Sequence, residues 1–316
     1  MANSNKRFRI IVSLVLIILA ILFIFWIIQD VTITTPSIGN IYTIDNNDTS
    51  TLLFTMIDVG QGDSFLLQCG GKTALVDCGP PSAGKTILSY LKEQEITKID
   101  YLFGTHPHDD HMGGMEEVIT GIEIGTVIIP EVTLNVANWY MDLMEVLVNG
   151  NYDVQLVSVG NQYLLGDAVI EVIGPLSEPT ENLNNYSIVL KVSLGEMDIL
   201  MTGDAEKDVE KELLDANVNL EAELLKVGHH GSSTSTSAKF LKAVNPSYAF
   251  VSCKVGNRYK HPTKEVLNRL LEANIPVFRT DECGTVVAMI TKNEITFNIT
   301  PGDYLSGPEL EEKLND

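Results

Sequence analysis

A chain of 316 residues with 42 acidic and 21 basic side chains carries a formal net charge of −21, a balance that excludes a protein holding nucleic acid by bulk positive charge. Its four cysteines, Cys69, Cys78, Cys253 and Cys283, are too few for a disulfide scaffold and lack zinc-ribbon spacing. The length leaves room for one large α/β domain with a sizeable core, plus short appendages.

Residues 1–9 carry Lys6, Arg7 and Arg9, and residues 10–28 are 19 positions with Ser13 as the single polar member. At about 1.5 Å per residue that run crosses the roughly 30 Å hydrocarbon core. The flanking cations predict a single-pass anchor in the cell membrane, with the N-terminus cytoplasmic and everything after Gln29 outside. The run ends Phe25-Trp26-Ile27-Ile28 and lacks the small residues of a cleavable signal peptide. Residues 29–50, rich in Thr, Asn, Asp and Ser without a usable period, read as a linker.

Strands are predicted over 51–58, 65–69 and 73–77, with turns at Gly60, Gln61, Gly62 and at Gly70, Gly71. Cys69 and Cys78 sit at unequal distances from the second turn and are not expected to pair; a Cys253 to Cys283 bridge stays open. Helical spacing of Ile87, Leu88 and Leu91 predicts a helix over 83–94, followed by a buried strand over 98–104. Further on, helices are expected at 115–119, 139–148, 205–214, 237–243 and 263–273. Strands are expected at 126–129, 154–157, 162–165, 168–173, 186–194, 198–202, 223–227, 248–252, 286–290 and 295–299. The main domain thus covers 51–300, and residues 301–316 form an acidic tail expected to be disordered.

The chemistry concentrates where the strand over 98–104 ends. Residues 106–111, His106-Pro107-His108-Asp109-Asp110-His111, put three imidazoles and two carboxylates into six positions. Side chains two apart in extended backbone point the same way, which aims His106 and His108 at one point, while Asp110 and His111 follow where Gly113 and Gly114 let a helix begin. Imidazole nitrogen with carboxylate oxygen suits zinc, manganese or iron better than the all-oxygen preference of calcium and magnesium. The other three histidines, His229, His230 and His261, also lie in tight motifs.

The motif His106-x-His108-x-Asp110-His111 resembles the metal-binding motif of the metallo-β-lactamase fold. Four more stretches, Phe54 to Ser64, Leu75 to Gly79, Leu200 to Glu206 and Leu225 to Ser232, resemble the soluble domain of ComEC-type competence proteins, without the polytopic membrane channel those carry. The resemblance implies a four-layered αββα sandwich preceded by one transmembrane helix, and two divalent metal ions, zinc or manganese. It implies that His106, His108, Asp110, His111 and Asp204 hold metal, with Asp204 bridging, and it favours His229 as a further ligand. A plain helix N-cap is the other reading of Asp204.

His230 would bind metal, orient substrate or donate a proton, and Asp110, His230 and His261 are the expected catalytic groups. Between Asp110 and Asp204 the only histidine is His111, so Asn185, in Asn184-Asn185-Tyr186-Ser187, or water would complete the first metal. Fewer imidazoles weaken the preference for zinc and leave manganese open.

From Lys226 to Arg279 the chain has nine basic residues against two acidic ones, Glu265 and Glu272, a local balance of 9 − 2 = +7. Lys254, Arg258 and Lys260, just before His261-Pro262, are the expected substrate-binding cations, at a helix entry suited to phosphate. The reading is a membrane-anchored metal-dependent hydrolase acting on an anionic phosphodiester, DNA or a phosphate-containing wall polymer. Its rivals are a non-catalytic DNA- or partner-binding module and a hydrolase of a non-phosphate ester or lactam.

Overall fold

A computed structural model describes residues 45, 47–179 and 181–316; the anchor expected at 10–28 lies outside them. Among the described residues no helix is long and apolar enough to cross a membrane. Fifteen strands follow in chain order. They are β1 (Leu52–Met56), β2 (Phe65–Cys69), β3 (Lys72–Val76), β4 (Lys98–Phe103), β5 (Glu123–Ile129), β6 (Asp153–Leu156), β7 (Gln162–Leu165), β8 (Ala168–Gly174), β9 (Val189–Leu194), β10 (Met197–Met201), β11 (Leu224–Lys226), β12 (Tyr248–Val251), β13 (Val277–Arg279), β14 (Val286–Ile290) and β15 (Ile295–Phe297).

They form two sheets, ordered β15-β14-β1-β2-β3-β4-β5-β6 and β13-β12-β11-β10-β9-β8-β7. Each sheet begins antiparallel and turns parallel, from β3 to β6 in the first and from β10 to β13 in the second. Parallel neighbours need crossover helices, and those helices cover the outer faces. Between the sheets lies an apolar core in which Phe54 stacks on Phe65 at 5.4 Å and meets Phe250 edge-on at 5.2 Å. Burying each such ring is worth about 1.5–3 kcal/mol.

Ile87 and Leu91, one turn apart on the helix Gly84–Glu93, pack with Leu75 and Leu102 outside the first sheet. Outside the second, Val209 and Leu213, Phe240 and Leu241, and Val266, Leu267 and Leu270 cover Leu225, Val251 and Val277 from three helices. The result is the expected order of helix, sheet, sheet, helix.

Three expectations differ from what is observed. Residues 183–186 form a short 3-10 turn and not the start of β9, because Asn182 caps it by accepting from the Asn184 N–H. Strand β13 was not anticipated. Residues 301–316 are not disordered: Gly307–Asn315 is a helix with a capping box between Ser306 and Glu309. Arg279, fully buried, pairs with Asp281 and donates to the Asp303 and Leu305 carbonyls, which ties the tail to the end of β13. All four cysteines are free thiols, so the Cys253 to Cys283 bridge is not formed.

Candidate metal centre

The site lies at the C-terminal ends of parallel strands from both sheets, the open rim of an α/β fold. After β4, the Thr105 backbone N–H and hydroxyl both donate to Asp77, at the end of β3, at 2.8 Å. His106 Nδ1 lies 3.1 Å from Thr105 Oγ1 and 3.2 Å from Ser187 Oγ, which leaves Nε2 facing His108 Nδ1 at 3.1 Å. The extended backbone of His108 (φ −104°, ψ 149°) then leads into the one-turn helix Asp109–Met112. Gly62 packs so tightly here that a Cβ would sit 2.2 Å from the Asp110 carbonyl oxygen.

His111 turns the other way. Its Nδ1 is 2.7 Å from Asp77 Oδ2, and its Nε2 is 3.2 Å from both Asp204 Oδ1 and His230 Nε2. Asp204 follows β10 through Gly203, at φ +50°. Its backbone N–H donates to Ser187 Oγ, so Ser187 positions both His106 and Asp204. Asp204 does not cap a helix; Glu206 is the N-cap of Lys207–Asp215. Asp204 Oδ1 is buried, and its 3.2 Å contact with His111 Nε2 is not aligned as a hydrogen bond, the state expected of an oxygen kept for a cation.

His229 and His230 both adopt left-handed φ, +50° and +51°, so these adjacent side chains part company. His230 goes inward: Nδ1 meets the Ser252 carbonyl at 2.9 Å, and Nε2 is 3.5 Å from Asp110 Oδ2 and from Asp204 Oδ2. His229 stays 22% exposed, with Nδ1 3.3 Å from Glu206 Oε1 and Nε2 3.6 Å from Asp204 Oδ2. The geometry therefore sets His230, with Asp110, His111 and Asp204, deepest in the cluster, and His229, which the resemblance favours as a ligand, at its edge. The reason is the double left-handed turn, which reverses the side of the strand end that each histidine faces.

Asp63, His111, Asp204 and His230 bring donor atoms within 4.8 Å of one another, and buried nitrogen and carboxylate donors of this kind suit a divalent transition metal. Asp63, however, faces the Nδ1 edges, 3.3 Å from His230 and 3.9 Å from His111. It stands behind the imidazoles, not among the Nε2 atoms. Asp63, Asp77 and Lys226 were not singled out by the sequence reading. Asp63 hides in a Gly-rich turn and Lys226 in an apolar strand; only a buried structural context distinguishes them.

With this arrangement in view, comparison with known proteins is decisive at one level. The sequence profile of the metallo-β-lactamase superfamily matches residues 57–254. The chain belongs to that superfamily. Within it, the chain is 31% identical to ComE operon protein 3 of Bacillus subtilis over 264 residues, covering 78% of this chain and 34% of that protein. It is 32% identical to the competence protein ComA of Neisseria gonorrhoeae over 240 residues, covering 73% of this chain and 31% of that one. The chain thus spans about a third of the curated relatives it matches.

Solved structures share the metallo-β-lactamase fold at lower identity. The fold protein YhfI of Bacillus subtilis aligns with TM-score 0.51 and 11% identity over 74% of this chain and 98% of its own. CmlA, a diiron β-hydroxylase of Streptomyces venezuelae, aligns with TM-score 0.52 and 15% identity over 76% and 54%.

Electrostatics fit the metallo-β-lactamase reading. Burial, then the field of His111, holds His106 well below the usual imidazole range, and the same causes lower His108, so both are neutral donors near pH 7. Burial alone would lower His230, but Asp204 and Asp63 outweigh it and raise it to about 10; His111 is raised in the same way by Asp204 and Asp77. Against its burial, Asp110 is held below the usual carboxylate range by His230 and His111. Protons therefore balance the carboxylates in the metal-free protein, and metal uptake must displace them, so binding strengthens as pH rises.

The remaining expected site residues line the metallo-β-lactamase cleft in different ways. Asn185 Oδ1 accepts from the Glu206 N–H at 3.1 Å, which ties it to that turn. His261 is buried beside His229, with ring centroids 5.4 Å apart, and its Nδ1 has no hydrogen-bond partner. Burial, then His229 and His230, holds His261 down at about 4. Near pH 7 it is therefore a neutral imidazole.

Of the nine cations between 226 and 279, Lys226, Lys264, Arg269 and Arg279 are taken up in ion pairs, which shrinks the expected basic face. Lys254, Arg258 and Lys260 remain exposed on the loop before His261. Arg258 lies over Tyr259 at 4.6 Å and donates to its hydroxyl, and that hydrogen bond, with smaller contributions from Asp109 and Asp110, raises the guanidinium pKa.

Proposed function

We propose that the chain is a metal-dependent phosphodiesterase, tethered to the membrane by residues 10–28, with its hydrolytic domain outside the cytoplasm. Its substrate is an anionic polymer, DNA or a phosphate-containing wall polymer. One observation carries the reading: His106 Nε2 and His108 Nδ1 meet at 3.1 Å, the His106 ring lies 4.2 Å from that of His111, and His111 and His230 face Asp204 with Asp110 beside them, all in a single cleft. Two divalent ions held there would lower the pKa of a bound water and stabilise charge on phosphoryl oxygens. The mixed nitrogen and oxygen donors fit zinc or manganese, and the pair of imidazoles in the first set favours manganese more than a three-histidine set would.

The chain's own groups supply the rest. Glu206 fixes His229 through Nδ1, so that Nε2 faces the cleft as a hydrogen-bonding group for substrate. Lys254, Arg258 and Lys260 draw in the anion. Hydrolysis of bis-p-nitrophenyl phosphate by the full chain tests the reading: turnover should vanish with a chelator and return with Mn²⁺ or Zn²⁺. Stoichiometric metal binding without turnover would mean a binding module instead.

Replacing Lys254, Arg258 and Lys260 together by Ser should raise KM for a polyanion about tenfold at low salt, three surface contacts at about 0.5 kcal/mol each. The effect should fade as the Debye length drops from about 30 Å at 0.01 M to about 8 Å at 0.15 M. An equal loss of kcat on a small neutral ester would show that the loop shapes the metal centre and does not recruit the anion.

A further inference from the structure

Lys226 is the residue whose placement the metal ligands alone do not explain. It ends β11 behind Leu224 and Leu225 and is 1% exposed, a position where an apolar side chain would normally pack. Burying an ammonium costs several kcal/mol unless its partners are well placed, and Lys226 has one for each of its three hydrogens. Its Nζ is 2.8 Å from Asp63 Oδ2 and donates to the Gly203 carbonyl at 3.1 Å and the Val227 carbonyl at 2.8 Å.

Each partner leads to a ligand. Gly203 immediately precedes Asp204, and Val227 opens the turn that presents His230. Asp63 Oδ1 lies 3.3 Å from His230 Nδ1, beside the Ser252 carbonyl that meets the same nitrogen at 2.9 Å, and is itself free of any other hydrogen bond. A single ammonium thus touches both ligand-bearing turns and the carboxylate behind one of the imidazoles. His111 has its own rear carboxylate, Asp77 at 2.7 Å, which needs no such cation.

We propose that Lys226 is a positioning residue for the metal centre: it holds Asp63 on the Nδ1 side of His230 and clamps the Gly203 and Val227 turns, so that His230 Nε2 and Asp204 are aimed before metal arrives. The proposal rests on the reading of this cleft as a metal site, but not on the identity of the substrate. It places the dependence on Lys226 in the donor set of Asp110, His111, Asp204 and His230. The imidazole pair of His106 and His108 is positioned by Thr105 and Ser187 and depends on Lys226 only through Asp204, the carboxylate proposed to be shared by both sets. Carboxylates behind metal-bound histidines are worth about 10–100-fold in affinity.

The test is a double-mutant cycle of Lys226→Met and Asp63→Asn, read by calorimetric titration of the metal-free full chain with Mn²⁺, with no substrate present. Each single variant should weaken one of two binding events by about 10–100-fold and the other, which shares only Asp204 with it, by clearly less. The double variant should be no weaker than the worse single one, because the two residues act as a unit. Unchanged affinities in folded variants, with only a lower melting temperature, would reduce Lys226 to a structural brace and overturn the proposal.

If Lys226→Met does not fold, Asp63→Asn and the double variant decide, since an unaltered isotherm in either is equally fatal. A wild-type chain that binds no divalent ion would remove the metal-site reading itself, a result distinct from metal binding that ignores Lys226.

Discussion

Under the proposed activity, Asp204→Asn should leave a folded protein that hydrolyses bis-p-nitrophenyl phosphate at about a thousandth of the wild-type rate or less. The substitution keeps the shape and the backbone N–H that donates to Ser187 Oγ, so the turn after β10 has no reason to move. What it removes is the one charge that faces His111, His230 and His229 together, at 3.2 to 3.6 Å. Losing a carboxylate common to both donor sets forfeits about 4 kcal/mol of charge stabilisation, and each 1.36 kcal/mol is a factor of ten in rate. His230→Ala should match it, whereas His229→Ala should retain metal and lose rate alone. Wild-type turnover of the Asn variant with metal supplied in excess would remove Asp204 from the centre.

The second large effect is on stability. Arg279→Met should cost about 3–5 kcal/mol, because it strands the fully buried Asp281 carboxylate and frees the Asp303 and Leu305 carbonyls from their donor. For a domain of this size that is a fall in melting temperature of roughly 6–15 °C. The same change should loosen the tail, whose Gly307 N–H donates to the Pro262 carbonyl beside His261. A melting temperature within about 2 °C of wild type would show that the Arg279 clamp contributes little.

The layered fold was legible because its strands are short apolar runs punctuated by Gly-rich turns, and the three outer helices of the second sheet keep their spacing. The first metal loop was legible for a chemical reason: no core or surface needs that density of imidazole and carboxylate. What was not legible depended on backbone or on burial. Which of His229 and His230 faces inward is set by two consecutive left-handed residues, a conformation that periodicity does not encode. Lys226 and Arg279 look like surface cations in a basic stretch, and only the folded chain shows both buried against carboxylates. The tail resembles a solvated acidic segment because many of its contacts run through backbone groups, such as the Asp303 and Leu305 carbonyls that accept from Arg279 and the Gly302 and Gly307 N–H groups that donate to Val277 and Pro262, which leave no trace in composition.

The free thiols turn the layers into separately readable compartments. Cys69 lies in the core between the sheets, Cys78 beneath the helices of the first sheet and Cys253 beneath those of the second, while Cys283 sits half-buried near the tail. Burial raises each of them, and Cys78 and Cys253 furthest, so none reacts as a thiolate in place. Alkylation must then wait for local opening. Four labelling rates on one unmodified chain would rank the order in which tail, outer layers and central core let solvent in, with Cys283 fastest and Cys69 tracking global unfolding.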